Sequence, residues 1–234
     1  MNLVIPLSAL LWAAVPAFPA HAHDLWLDKD SGGYTLYHGH KHSSHSGTEV
    51  LSYDAAFVKG ARCLDAAGTV KTQAVGKAAP WRARAECTAL LVSASSGYWT
   101  KTPWETKNVP KNQLSGSVRS WLSEETVKRI DVWTPGTAQP VSDGLEITPV
   151  TNPLALKPDD KLTVLVTENK RPRAGVPVAY GGDTRGASGE DGMVALRIRH
   201  GGTQLISASV ETPLSDGKAD VVVQTTALQF ELPQ

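Results

Sequence analysis

Turn-forming Gly, Pro, Asn, Asp and Ser interrupt this chain roughly every 8 to 15 positions, and most intervals between them are rich in Val, Leu, Ile, Thr and Tyr. A helix of ordinary length needs about ten uninterrupted residues with apolar positions three and four apart, whereas a strand needs about five. The chain is therefore expected to be all-β, a β-sandwich. Strands are expected over residues 34–40, 50–57 and 83–94, and then over 145–150, 161–168, 176–180, 193–199, 204–210 and 219–232, the last one broken. One stretch reads differently. Between Gln113 and Asp131 the residues Val118, Trp121, Leu122, Val127 and Ile130 fall near helical spacing. Ser123 before Glu124 and Glu125 suits a helix start, and Lys128 and Arg129 suit its end, so one or two short helices are expected there.

A boundary is read at residues 152–159, where Asn152-Pro153 and Pro158-Asp159 cluster. It divides an N-terminal β-rich part, residues 23–150, from an immunoglobulin-like β-sandwich over 151–234. In the second part Val194, Leu196 and Ile198 alternate with Arg197 and Arg199, the pattern of a half-buried strand.

Residues 1–22 read as a signal peptide, with an apolar run from Leu3 to Val15 and the small-x-small pattern Ala20-His21-Ala22. Cleavage after Ala22 makes His23 the mature N-terminus and sends the chain to the periplasm. No later stretch approaches the roughly 18 apolar residues that span a membrane, so the mature chain is not expected to insert into one.

Six of the 7 histidines lie between positions 21 and 45, four of them in the motif His38-Gly39-His40-Lys41-His42-Ser43-Ser44-His45. The amine and imidazole of an N-terminal His23 can chelate one ion. Alternation along a strand puts His38, His40 and His42 on one face, spaced by about 6.5 to 7 Å. Three rings so placed close on one ion only if the backbone bends, and Gly39 and Ser43-Ser44 are where it can. His23 joins them if the first strand runs beside this one. The expected metal ligands are His23, His38, His40, His42 and His45, with Asp24 and Glu49 near enough in sequence to accept from imidazole N–H groups. Nitrogen donors suit Ni²⁺, Co²⁺, Cu²⁺ and Zn²⁺, and no Cys or Met in the cluster points to Cu(I). Ligand imidazoles must be neutral, so affinity is expected to fall as pH drops through about 6.5. His200, beside Gly201-Gly202, reads as a turn residue, and the tryptophans as core and corner packing.

Cys63 and Cys87 are the 2 cysteines of the chain. In an exported protein they are expected to form a disulfide, worth about 3 kcal/mol by chain entropy for a loop of this size. With 23 basic and 23 acidic residues and no basic block, the chain offers nucleic acid no electrostatic footprint. It holds no Gly-x-Ser-x-Gly elbow, no His-Glu-x-x-His pair and no phosphate-binding loop, so it is not expected to be an enzyme. The enzyme class nearest to this pattern is the copper mono-oxygenase, whose brace uses an N-terminal histidine and a second one distant in the chain, here His200.

Several segments together resemble a periplasmic accessory family associated with nickel and cobalt uptake. They are Ala22-His-Asp-Leu-Trp-Leu27, the histidine loop after Tyr37, Gly144 to Leu154, the Gly175-Val-Pro-Val turn, Ser188-Gly-Glu-Asp-Gly192 and Leu228-Gln-Phe-Glu-Leu232. The resemblance spans the mature chain, and the family carries a domain long catalogued as of unknown function. It implies a β-rich periplasmic protein that binds Ni²⁺ or Co²⁺ near its processed N-terminus and passes it to a membrane metal-transporter subunit. A periplasmic copper or zinc buffer or metallochaperone is the alternative within the binding class.

Overall fold

The structure is a computed structural model that describes residues 23–43 and 47–234. Its strands in chain order are β1 (Asp24–Asp30), β2 (Gly33–Ser43), β3 (Gly47–Leu51), β4 (Val58–Leu64), β5 (Val70–Gln73), β6 (Arg82–Ala83), β7 (Ala89–Lys101), β8 (Thr106–Lys107) and β9 (Arg119–Ile130). They continue as β10 (Glu146–Pro149), β11 (Lys161–Glu168), β12 (Arg171–Pro172), β13 (Pro177–Tyr180), β14 (Asp183–Ala187), β15 (Met193–Arg197), β16 (Gly202–Pro213) and β17 (Val221–Leu232). The protein is all-β, as the turn rhythm predicts, and its helical pieces among the described residues are single 3₁₀ turns such as Ala55–Phe57 and Pro153–Ala155.

The strands form one large sheet in the order β14-β13-β16-β17-β9-β7-β4-β5, with β8 beside β7, and two small sheets. One small sheet is β1-β2-β3 with β6 on β2; the other is β10-β11-β12 with β15 on β11. Each face of the large sheet feeds a different core. Leu90, Val92, Val127, Leu205 and Ala227 pack with Trp26, Leu36 and Trp81 of the first small sheet and its flanks. Their sequence neighbours Ala89, Ile206 and Leu228 pack with Ile147, Leu162 and Val164 of the second. Since side chains alternate along a strand, the long central strands are buried on both faces and the small sheets cover them from opposite sides.

The helices expected between Gln113 and Asp131 are not there. Arg119–Ile130 is β9, lying parallel to β17 from Trp121↔Val221 to Ile130↔Phe230 and antiparallel to β7. A strand buried on both faces loses its period-2 pattern, and what remains of β9 happens to fall near helical spacing. The expected strand at 50–57 ends at Leu51, and the one at 83–94 is interrupted between β6 and β7. β17 is continuous. The connection at 152–159 joins β10 to β11, and the large sheet draws strands from both sides of it.

Cys63 and Cys87 are joined, with Cα atoms 5.4 Å apart, and both are buried beside the first core. Thiol labelling of unreduced, unfolded protein is expected to find no free cysteine. Two reactive thiols would contradict the bridge.

Candidate metal centre

The site forms where the first small sheet ends on the face of the large one. Two buried side chains hold β1 in place: the Gln229 amide accepts from Leu27 N and donates to Leu27 O, and Arg129 Nη1 donates to the same carbonyl. These bonds satisfy backbone groups on the edge of β1 that does not face β2. The register Asp24↔Gly39, Leu25↔His38 then follows from antiparallel pairing with β2, and His23, one residue further, comes level with His40. The ring centroid of His23 lies 4.9 Å from that of His38 and 4.9 Å from that of His40.

Gly39 between these two histidines makes the arrangement possible. Its φ is +147°, and a Cβ there would come within 2.1 Å of the Glu49 carbonyl oxygen, so only glycine lets β3 approach this closely. Pairing between β2 and β3 slips between His40 and Ser43. His38 rests on Phe57, ring centroids 5.0 Å apart, and Phe57 rests on Tyr53 at the same distance. Tyr53 in turn donates its hydroxyl to the Leu36 carbonyl and accepts from Trp81 N, which fixes that wall.

Of the five expected ligands, His23, His38 and His40 come together. The His42 side chain and His45 lie outside the described residues. Asp24 accepts from Lys41 N at 2.9 Å, and Glu49 stands opposite His40 on β3. As placed, no three His, Cys, Asp or Glu side chains among the described residues converge on one ion position. His23 meets His38 and His40 edge to face, at 82° and 61°. His23, just before β1, is exposed.

Sequence reading assigned Glu125 to a helix start; the structure places it on β9 at the floor of this site, with Oε2 3.7 Å from His38 Nε2. No local sequence signal connects it to the histidines. At that distance the pair is not hydrogen-bonded, and burial holds both groups toward their neutral forms. Burial, followed by the neighbouring imidazoles of His23 and His40, lowers His38 to about 4. Burial raises Glu125 to about 7 against a hydrogen bond from Ser123. His23 is also lowered, by burial and by His40, with Glu49 and Asp24 acting the other way. His38 is therefore a neutral donor well below pH 6.5, and the proton competition expected from the sequence begins lower for this ligand.

The site opens into a cleft of about 680 Å³ lined by His23, His38, Phe57, Glu125, Trp99 and Trp121. Trp99 and Trp121, paired across β7 and β9, stack with centroids 6.3 Å apart, and Arg119 lies over Trp121. Of the other tryptophans, Trp26 and Trp81 pack in the core as expected, whereas Trp104 does not: it is 85% exposed. His200 stacks on Tyr180 and its Nδ1 lies 2.8 Å from the Gly201 carbonyl; it is not part of this cleft.

Residues 20–212 match the family described as Domain of unknown function (DUF4198), and the chain therefore belongs to it. No curated protein and no solved structure matches the chain.

Proposed function

We propose that this member of a family of unknown function is a periplasmic, non-catalytic binding protein for a divalent transition metal, Ni²⁺ or Co²⁺, that serves uptake by handing the ion to a membrane transporter subunit. One observation carries the reading: three imidazoles, those of His38 and His40 on β2 and of His23 just before β1, lie together beside a cleft that His23 and His38 line, with His23 4.9 Å from each of the others. Two of them are depressed below the ordinary histidine value and so present lone pairs rather than charge at neutral pH. Processing after Ala22 adds the amine of His23 to the same donor set. Nitrogen donors of this kind suit Ni²⁺ and Co²⁺. The distant histidine that an oxygen-activating brace would recruit, His200, is engaged with Tyr180 and Gly201 instead.

Calorimetric titration of NiCl₂ into the processed protein is the test. His38→Ala and His40→Ala are each expected to weaken binding by tenfold or more, and reduced Ni²⁺ or Co²⁺ accumulation is expected in cells lacking the chain when the metal is scarce. Binding equal to the parent in both variants would leave the histidines a solvated tract with no ordered site.

A further inference from the structure

The histidines leave one feature at the cleft floor without a purpose. Glu125 is only 9% exposed, and although its Oε1 accepts from Ser123 Oγ at 3.3 Å, its Oε2 has no hydrogen-bond partner. His38 Nε2, 3.7 Å from that oxygen, has none either. Leaving a carboxylate oxygen and an imidazole nitrogen buried and unbonded is unfavourable for both. The strand does not need a carboxylate for packing. Two residues on, the same face of β9 carries Val127, fully buried in the core. No salt bridge joins Glu125 to a lysine or arginine among the described residues, and Lys59, which lines the same cleft, donates to the Ala56 carbonyl.

A dication supplies what this pair lacks, because it takes a lone pair from each atom. Two donors bound to one ion at about 2.1 Å sit about 3.0 to 3.4 Å apart in octahedral to tetrahedral geometry. The observed 3.7 Å needs to close by only a few tenths of an ångström.

We propose that Glu125 is a metal ligand, its Oε2 joining His38 Nε2 and the imidazoles of His23 and His40 in a site of three nitrogens and one carboxylate oxygen. The proposal rests on the metal-binding reading above. The set crosses the sandwich: His38 and His40 belong to β2 of the small sheet, Glu125 to β9 in the middle of the large one, so an ion held there ties the two layers together. A hard oxygen among borderline nitrogens keeps the site suited to Ni²⁺, Co²⁺ or Zn²⁺ and further from Cu(I).

The experiment uses the processed protein with NiCl₂ and CoCl₂ as probes, comparing the parent with Glu125→Gln and His38→Ala. Glu125→Gln is expected to lower Ni²⁺ affinity at least tenfold, to change the visible spectrum of bound Co²⁺, and to melt no lower than the parent without metal, because the amide replaces a buried carboxyl group whose Oε2 lacks a partner while its own oxygen can still accept from Ser123. An affinity within threefold of the parent and an unchanged Co²⁺ spectrum would overturn the proposal, and is what a mere acceptor for the His38 ring predicts, since the amide oxygen can serve that role. A metal-free variant that melts well below the parent would overturn it too, by showing that the carboxylate holds the fold. Equal, weak binding by parent and His38→Ala is a different failure, that of the metal site itself.

Discussion

Lys128→Met is expected to destabilise the protein by about 3 to 5 kcal/mol, the cost of stranding one member of a buried ion pair. Lys128 and Glu146 are both fully buried, with Nζ 2.9 Å from Oε1. The ammonium also donates to the Gln139 carbonyl and to Thr148 Oγ1. The carboxylate accepts from Val141 N, Ser142 N and Ser142 Oγ. Burial pulls the Lys128 ammonium down, and Glu146 opposes that. The cluster fastens the connection from β9 to β10 and so joins the large sheet to the second small one. Methionine fills the volume but leaves the buried Glu146 carboxylate without its cation, with only Val141 N, Ser142 N and Ser142 Oγ donating to it. The double variant K128M/E146Q should recover at least half of the loss, because the greater part comes from the uncompensated charge. Denaturant midpoints measure both, and a loss under about 1 kcal/mol for the single variant would contradict the argument.

That pair also shows where sequence reading stops. Strands with one wet face were legible: β11 occupies Lys161–Glu168 as expected, and β15 keeps the alternation of Val194 and Leu196 with Ala195 and Arg197. Strands with two covered faces were not. In β9 the charged residues Glu125, Lys128 and Arg129 are all buried, each for a tertiary reason that no local pattern carries: a cleft, an ion pair with Glu146, and the Leu27 carbonyl with Asp131. Read locally they look like a helix start and end. β17 runs unbroken through the polar residues Thr226 and Gln229, whose side chains bond to Thr126 and to the backbone of Leu27. The candidate site divides along the same line. His23, His38 and His40 were legible because strand alternation and one hairpin bring them together, and Glu125 was not, because β9 reaches them only through sheet packing.

The pH dependence of the metal-free protein is expected to be flatter in the parent than in variants lacking either member of the His38 and Glu125 pair. His38 falls from 6.5 in the unfolded chain to about 4 in the fold, so its contribution to stability is present above pH 6.5 and is lost as pH falls through about 4. Glu125 rises from 4.5 to about 7, so its contribution is present below pH 4.5 and is lost as pH rises through about 7. Over the shared window the two slopes oppose each other. Glu125→Gln should therefore lose stability as pH falls from 6.5 to about 4, and His38→Gln should lose it as pH rises from 4.5 to about 7, each by on the order of 2 to 3 kcal/mol. Denaturant midpoints at four pH values between 4 and 7.5 would show the crossing, and parallel profiles for parent and variants would mean that neither group is held neutral by burial. Such neutrality has a chemical consequence. At pH 5 to 6 no proton must leave His38 before it can donate to a dication, so the ordinary histidine titration near 6.5 does not limit this ligand.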